Sequence, residues 1–476
     1  MEGPKPPSFS NSVRKINTRL HRALPAVVLG TFFNVLDAVS TGLLLFPSDA
    51  GSAQFKALQI QGLSMFIMST ALSQVAMTLG GSRFPGALGA MLIEILPFLR
   101  GVGSDIRNTL GSDHPGLVPT VMVAYASTSF LTGFLFIALG LLKLGKVVAY
   151  FPHTVLTGAI GGIGVALFIL GLELILPETS PPLTLPNAGS VLFNTAQLPL
   201  LVVSFFPALL LSVSKRSKHL ERWTFGASTN VYFIPGCLCA IPFIFWVVVV
   251  SIQIPMETLV KKGWLFRVDL SSSTQTGIGD GWMYWREFDF PKVEWWAIKS
   301  ATTNMTLLVV IGVLNLPIFV PALAHRLDVP YDMDHEFLGQ GVANLLAGIT
   351  GTVPNILQYS YSVFVTEVGG GRFELGLITL LTFLLFFTSS LLLPYVPTVL
   401  ASSLVLFLGI ELSLEAVWEA ALTLPRLDWG ICVATLIACT FVGFAEGFLV
   451  GIALAAFVHF TFGSAESRAA TQAISI

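Results

Sequence analysis

Residues 354–367 read PNILQYSYSVFVTE and residues 85–99 read PGALGAMLIEILPFL. Both stretches are apolar, begin with proline and are shorter than the roughly 20 residues that a membrane-spanning helix needs. They occupy the third position in two successive series of apolar segments. Short, proline-interrupted segments at matching positions are typical of folds in which two half-helices end at a central binding site. The alternative interpretation is a pair of re-entrant helices without a functional role.

The composition of the whole chain is that of a membrane protein. Hydrophobic residues make up 54% of the sequence and charged residues 11%, which is too little charge to solvate a soluble globule. Apolar runs such as 231–251 and 375–393 have the length of a spanning helix, whereas transmembrane strands would alternate in pieces of about 10 residues. We therefore expect an all-α polytopic membrane protein. A net charge of −2 and the lack of a basic stripe argue against nucleic-acid binding.

Neither the cysteines nor the histidines form a pattern that indicates chemistry. The four cysteines all lie in apolar runs, where a disulfide framework or a zinc cluster is not expected. The seven histidines are scattered and show no metal-ligand spacing on a helix face. No nucleophile stands beside a base, so the sequence favours neither an enzyme nor a bound cofactor or metal.

Apolar runs between glycine, proline and charged breaks predict fourteen helices in two series of seven. The first series lies near 24–46, 57–80, 86–99, 117–143, 152–176, 196–214 and 231–252. The second lies near 296–322, 335–350, 355–367, 373–393, 396–411, 427–443 and 445–463. Because each series has an odd number of spans, the second must enter the membrane in the opposite orientation, which predicts a 7+7 inverted repeat.

The predicted organisation has five parts: an N-terminal segment 1–23, a first repeat 24–252, a loop 253–295, a second repeat 296–463 and a tail 464–476. Basic residues concentrate on one predicted side of the membrane, which identifies that side as cytoplasmic. They are Arg14, Lys15, Arg19, Arg22, Lys143, Lys146, Lys215, Arg216, Lys218, Arg326, Arg372 and Arg426. The 253–295 loop also contains Lys and Arg, but long loops are translocated largely regardless of charge. We therefore expect both termini in the cytoplasm and the 253–295 loop on the extracytoplasmic or lumenal side.

Several motifs resemble the sulfate permease (SulP) superfamily in their order and spacing. Residues 335–344, HEFLGQGVAN, are similar to the acidic-x-x-x-Gln-Gly-x-x-Asn pattern of its ninth helix, and residues 351–354, GTVP, to the start of its tenth. Further matches are residues 81–83, 428–429, 446–447 and 451. The resemblance implies a core domain (helices 1–4 and 8–11) that moves against a gate domain (helices 5–7 and 12–14), and a homodimer. A STAS domain, common after helix 14 in the family, is absent here unless the chain is truncated.

At two positions the chain lacks a basic residue that the family pattern contains, and at the second of them an acidic residue takes its place. The resemblance implies an arginine, which helps to hold an anion, at the position of Tyr361 in anion-carrying relatives, and frequently a second basic residue at the position of Glu367. The subgroup that this chain resembles most is the fungal SulP-like proteins associated with vacuolar basic amino-acid accumulation. That likeness implies a vacuolar membrane, with the plasma membrane as the alternative.

Acidic residues stand in the predicted spans with almost no basic residue to pair with them. They are Asp37, Glu94, Glu173, Glu367, Glu411 and Glu446. Ionisable groups at membrane depth are costly and are therefore candidates for function. Asp37, in the middle of its span, is the first candidate for substrate binding and proton coupling, although a structural hydrogen bond at a helix break is the alternative. Asn34 and Ser40 on either side of it are further candidates for substrate binding. Glu94 and Glu367 are further proton-coupling candidates, and Glu173 is a gate candidate; Glu411 and Glu446 we interpret as structural.

The predicted half-helices supply the remaining candidates for substrate contact. These are Pro85, Gly86 and Ala87 on one side and Asn355, Gln358, Tyr359 and Tyr361 on the other. Free N–H groups at a helix N-terminus can hold a carboxylate, and Asp37 can hold a cation, so that a basic amino acid suits both, as does any other zwitterion.

The sequence thus predicts a proton-coupled secondary transporter of a small charged solute, working by elevator-type alternating access. Its expected partners are the solute, membrane lipids and a second copy of the chain. The alternatives are a carrier of sulfate or a related anion, with Tyr361 donating a hydrogen bond, and a non-transporting sensor or channel.

Overall fold

The computed structural model describes residues 9–47, 53–56, 58–145, 152–176, 183, 189, 192, 197–216, 233–266 and 280–474. It is built almost wholly of helices, which confirms the all-α class. Within the described residues, eight helices are long and apolar enough to cross a membrane, and two shorter apolar helices cover Leu198–Ser214 and Gly236–Ile252. The count of fourteen spans stays a prediction.

Seven longer helices and one short strand form the first half of the described chain. They are α1 (Phe9–Thr41), α2 (Gln59–Ala76, continued by a π turn Met77–Gly81), β1 (Gly89–Ala90), α3 (Leu96–Leu110), α4 (Leu117–Leu141), α5 (His153–Glu173), α6 (Leu198–Arg216) and α7 (Phe233–Ile252). Their bounds lie within a few residues of the predicted ones, with the exception of α1, which begins earlier, and α3.

The second half repeats this order of elements. It contains α8 (Thr302–Leu327), α9 (Met333–Ile349), β2 (Ile356–Leu357), α10 (Tyr359–Glu367), α11 (Arg372–Leu392), α12 (Thr398–Leu414, continued by a π turn Glu415–Glu419), α13 (Arg426–Phe441) and α14 (Phe444–Ile474). In both halves a strand of two residues lies within the proline-led stretch and precedes the next α-helix, which is α3 in the first half and α10 in the second. The loop 253–295 is described only in part and contains short helical turns such as Met256–Lys261 and Asp280–Glu287.

The bounds predicted for the third helix, 86–99, are wrong. Residues 85–86 form a turn, residues 87–92 are non-helical and include β1, a 3-10 turn covers Ile93–Ile95, and α3 then runs to Leu110. Pro97 lies in the first turn of α3, where its missing N–H costs no hydrogen bond. The apolar composition of residues 86–92 fits a buried strand as well as a helix, so that hydrophobicity alone could not separate the two.

The strands β1 and β2 pair with each other inside the helix bundle. Gly89 lies opposite Leu357 and Ala90 opposite Ile356 in an antiparallel register, and the N–H of Gln358 donates to the carbonyl of Leu88 at 2.8 Å. All four strand residues are buried. Non-helical backbone at membrane depth is tolerated only where its polar groups find partners, and here each short strand supplies the partners of the other. We call this pairing the strand crossing.

The helices pack into two groups. The first contains α1–α4 and α8–α11, with α4 on α9 and α2 on α11 as extensive contacts; the second contains α5–α7 and α12–α14, with α5 on α12 and α13. Among the described residues, α1 against α12 makes the largest contact between the groups. Small residues bring the backbones together within each group: a Cβ on Gly133 of α4 would lie 3.0 Å from the carbonyl oxygen of Gly341 of α9.

Two of the sequence motifs meet where α2 ends. A Cβ on Gly339 of α9 would overlap the carbonyl oxygen of Gly81, so that only glycine allows this approach of the two backbones. The N–H of Arg83 donates to the Glu336 carboxylate at 2.7 Å, and the Arg83 guanidinium pairs with Asp332 at 3.0 Å. The motifs at 81–83 and 335–344 therefore fix the start of the extended segment to α9.

We expect Gly339→Ala to destabilise the protein, because backbone atoms on the opposite side cannot move aside as a side chain would. Overpacking of this kind costs about 1–3 kcal/mol. The matched control is Gly312→Ala in α8, also buried in a helix, where an added Cβ meets nothing within 4 Å. The measurement is the temperature at which the detergent-solubilised protein loses its monodisperse peak in size-exclusion chromatography. Equal melting of Gly339→Ala and wild type would contradict the tight contact.

Candidate functional site

Asp37 lies near the C-terminal end of α1, four residues before Thr41, and is 8% exposed. The Tyr361 hydroxyl, in the first turn of α10, donates a hydrogen bond of 2.7 Å to its Oδ1 atom. The Tyr361 ring stacks on Phe33 of α1, with the ring centroids 4.3 Å apart and the planes at 11°. The hydrogen bond and the stacked rings together hold the start of α10 against the C-terminal part of α1.

Glu94 belongs to the same cluster. It lies in the 3-10 turn that follows β1, and its carboxylate is close enough to interact electrostatically with both Asp37 and Tyr361. The strand crossing explains this proximity, because it places the turn after β1 and the start of α10 at the same point. No ion pair within the described residues includes Asp37 or Glu94. The cluster therefore has an excess of acidic groups.

The structure places the other two polar candidates of α1 within the bundle. Asn34 exchanges hydrogen bonds with Gln74 of α2 at 3.0 and 3.3 Å and donates to Thr382 of α11 at 2.7 Å. The Ser40 hydroxyl donates to the carbonyl of Leu36 at 2.9 Å. Both side chains have partners inside the protein, and neither hydrogen bonds to the Asp37 carboxylate.

Pro85, Gly86 and Ala87 do not form the N-terminus of a half-helix, so this prediction is wrong. They precede β1, and the first helical turn begins only at Ile93. On the opposite side the prediction is closer, since α10 begins at Tyr359 with Gln358 before it. The first N–H groups of a helix have no partner within the helix, which leaves donors at the start of α10. Ser360, which the sequence analysis missed, is exposed at this end.

Asn355 and Gln358 hold the strand crossing together. The N–H of Asn355 donates to Asn344 Oδ1 at 2.9 Å, and its side-chain amide donates to the Ser69 hydroxyl at 3.2 Å. The Gln358 amide lies 3.4 Å from the carbonyl of Ala90 on β1. These two predicted residues thus support the backbone of the site.

Glu367 and Glu173 lie apart from the Asp37 cluster. Glu367, at the far end of α10, accepts two hydrogen bonds of 3.0 and 2.6 Å from the Arg326 guanidinium. Glu173, at the end of α5, accepts from the N–H of Leu183 at 3.0 Å. Of the three predicted proton-coupling residues, the structure therefore brings together Asp37 and Glu94 only.

Two further charged residues were missed, and one of them, Glu415, interacts with the Asp37 cluster through Glu94. Arg100 fell just beyond the predicted third helix, but in the structure it lies in the second turn of α3, where its guanidinium donates to the carbonyls of Leu44 and Phe46 at 3.1 and 3.2 Å. Glu415, exposed in the π turn after α12, interacts electrostatically with Glu94. Its position four residues after Glu411 in one apolar segment was the available sequence signal.

Sequence comparisons connect this chain to known proteins. Residues 20–435 match the model of the sulfate permease family. The chain is 31% identical over 439 residues to the vacuolar basic amino acid transporter VSB1 of Saccharomyces cerevisiae, which covers 91% of this chain and 40% of the yeast protein. It is 42% identical over 77 residues to the bicarbonate transporter BicA of Synechocystis, which covers 16% of this chain and 13% of that protein. The chain thus spans less than half the length of the yeast relative.

Solved structures with the same fold include two anion transporters. The structure of SLC26A9 aligns with a TM-score of 0.64 at 15% identity over 92% of this chain and 65% of that one. Murine Slc26a9 in the inward-facing state aligns with a TM-score of 0.65 at 16% identity, over 93% and 68%. The transmembrane domain of the cyanobacterial transporter BicA aligns with a TM-score of 0.59 at 15% identity, over 90% and 98%.

At these identities the structural likeness shows the fold alone. Membership rests on the family model, which extends over most of the chain and contains Asp37, Glu94, Tyr361 and both strands. This integral membrane protein belongs to the sulfate permease family.

Proposed function

We propose that this protein is a proton-coupled secondary transporter of a basic amino acid. The observation that carries the proposal is the buried Asp37 carboxylate, which is held by Tyr361 beside Glu94 and has no basic partner among the described residues. A buried carboxylate without a cation is unfavourable unless it binds a proton or a positively charged ligand. Competition between a proton and the substrate cation for Asp37 would couple their movements.

The start of α10 supplies the complementary half of the proposed site. Its free N–H groups and the positive end of its helix dipole attract an anionic group, and Ser360 is exposed beside them. A basic amino acid carries a carboxylate for this end and a cationic side chain for Asp37. The name of the yeast relative, a vacuolar basic amino acid transporter, supports this substrate class and a vacuolar membrane.

A carrier of sulfate or another inorganic anion is the second candidate. It is supported by the names of BicA and Slc26a9, a bicarbonate and an anion transporter, which share the fold. Electrostatics argues against it, because two like unit charges roughly 4 Å apart repel by about 4 kcal/mol at an effective dielectric constant of about 20. An anion near Asp37 and Glu94 would meet this repulsion, and Tyr361 offers a neutral donor where a cation would be needed.

The two groups of helices suggest how the site is carried across the membrane. We propose that α1–α4 with α8–α11 form a core domain that holds the site, that α5–α7 with α12–α14 form a gate domain, and that the core moves past the gate in a homodimer. The contact between them is apolar: Leu36 of α1 packs with Leu400, Leu404 and Phe407 of α12. An apolar surface has no directed hydrogen bonds to break, which suits sliding.

The first test is uptake of radiolabelled arginine and sulfate, in parallel, into proteoliposomes with and without a pH gradient. We expect the gradient to drive arginine uptake in wild type and Asp37→Asn to abolish it, because the amide can neither release a proton nor attract a cation. Glu446→Gln, which also neutralises a carboxylate in an apolar helix, should transport normally. Sulfate uptake that is indifferent to Asp37→Asn would reject the proposal in favour of the anion carrier, and transport of neither solute would favour a sensor or a channel.

A second prediction concerns the hydrogen bond to Asp37. Tyr361→Phe keeps the ring stacked on Phe33 but removes the hydroxyl, and a hydrogen bond to a charged group contributes about 1.5–3 kcal/mol. We expect the KM for arginine to rise by roughly 10-fold or more with protein yield unchanged. Tyr395→Phe, the same change at an exposed tyrosine between α11 and α12, is the control. A KM that is equal in both variants would mean that Tyr361 does not position Asp37.

A further inference from the structure

A line of buried polar side chains runs between α2 and α9, apart from the Asp37 cluster. Residues four positions apart share one face of a helix, and both helices place polar groups at this spacing. We call the line the polar seam; it is formed by Glu336, Gln340 and Asn344 of α9 and by Ser69, Ser73 and Met77 of α2 with its π turn. Each of these side chains is at most 1% exposed.

Contacts across the seam fix its register. The Gln340 amide donates to the Met77 sulfur at 3.6 Å, whereas Asn344 is joined to Ser69 through Asn355. Ser73 therefore lies between these two levels. Its hydroxyl is so close to Gly89 of β1 that a Cβ there would overlap it. The seam thus runs from Glu336 at the start of α9 to the strand crossing.

Four oxygen atoms along this line have no hydrogen-bond partner in the part of the chain that the structure describes. They are Glu336 Oε2, Gln340 Oε1, Ser73 Oγ and Asn355 Oδ1. A buried acceptor without a partner costs about 1–3 kcal/mol, and native proteins satisfy such groups with ordered water. One helical turn rises about 5.4 Å, which is about twice the length of a hydrogen bond, so that one water molecule can bridge consecutive positions.

We propose that ordered water molecules fill the polar seam and carry protons between the solvent near Glu336 and the strand crossing. This inference rests on the proposed proton coupling and assigns its route. In each step a water molecule takes one proton and releases another, and the Ser73 hydroxyl does the same because it is both donor and acceptor. The Glu336 carboxyl gives up or takes one proton at the outer end, and the Asp37 carboxyl takes or gives up one at the inner end. Because the amides of Gln74 and Asn34 do not relay protons, the last transfer also runs through water, so that charge and protons balance.

Both ends of the seam have suitable neighbours. At the outer end, Glu336 accepts from the N–H of Arg83, whose exposed guanidinium pairs with Asp332, and the neighbouring His335 ring lies 2.9 Å from the carbonyl of Gly80. On the predicted topology this end faces the cytoplasm. At the inner end, Gln74 follows Ser73 in α2 and hydrogen bonds to Asn34, one turn before Asp37. The protons would thus reach the site by a route separate from that of the solute.

The water in the seam can be tested without any transport assay. Radiolysis of bound water oxidises the side chains beside it even where they are buried. We expect Met77, whose sulfur accepts from Gln340 in the seam, to be oxidised about tenfold faster than Met65, which is equally buried in α2 but lies outside the seam. Gln340→Leu should remove this difference. Equal, slow oxidation of Met77 and Met65 in wild type would show that the seam is dry and overturn the proposal.

The proton route is tested with Ser73→Ala, and Ser64→Ala in the same helix is the matched control. Ser64 is also buried, but its hydroxyl bonds to Ser389 at 3.1 Å, outside the seam. We expect Ser73→Ala to slow pH-gradient-driven arginine uptake by about tenfold or more, while arginine exchange at equal pH, which needs no net proton movement, stays unchanged.

Other outcomes of this transport test are also decisive. A parallel loss of uptake and exchange in Ser73→Ala, or a loss of neither, would overturn the proton route. A wild type that takes up no arginine along the gradient would reject the proposed function, and the oxidation of Met77 would still decide whether the seam holds water.

Discussion

The backbone of two non-helical segments must find hydrogen-bond partners in the interior of this helix bundle, and the architecture follows from how it does so. In a bilayer no bulk water is at hand to satisfy an exposed N–H or C=O group. Here the segment before α3 and the segment before α10 pair with each other through Gly89, Ala90, Ile356 and Leu357. Polar side chains of α2 and α9 then support the crossing, among them Ser69 and Asn344.

This pairing also decides where charge can lie. Because the strands cross, the turn with Glu94 and the first turn of α10 with Tyr361 both end beside Asp37 of α1. The neutral Tyr361 thus stands where the family resemblance implies an arginine in relatives that carry anions, and the acidic Asp37 and Glu94 lie beside it. The fold is shared with anion transporters, but the electrostatic sign of the site is set by a few side chains on that fold. This is why the fold alone does not assign a substrate.

Contacts within a helix group differ in kind from the contacts between the two groups. Gly339 lets the backbone of α9 touch that of Gly81, which fixes the extended segment within one group. Between the groups, Leu36 meets apolar side chains of α12. Hydrogen bonds hold the helices of each group together, whereas apolar contact joins the two groups. The proposed movement of one group against the other requires this difference, because packed interiors resist deformation while apolar surfaces can slide.

The sequence by itself determined the helical class, the approximate bounds of most helices, the short helix after Pro354 and the family, and it singled out Asp37 as a candidate. These are local properties: hydrophobicity over about 20 residues marks a membrane helix, and a single charge within an apolar run is visible without any partner. The motifs at 81–83 and 335–344 were also visible, although their mutual contact was not.

Only the tertiary structure decided which residues meet. Tyr361 and Asp37 are 324 positions apart, and no local pattern pairs them. Residues 86–92 read as a helix because their composition is apolar, but the partner strand from the other half of the chain makes them extended. The sequence predicts Asn34, Ser40 and Asn355 as substrate contacts, but their hydrogen-bond partners in the structure lie within the bundle. Hydrophobicity is recorded residue by residue, whereas hydrogen bonds and charge clusters depend on pairs, and pairs are formed only when the chain folds.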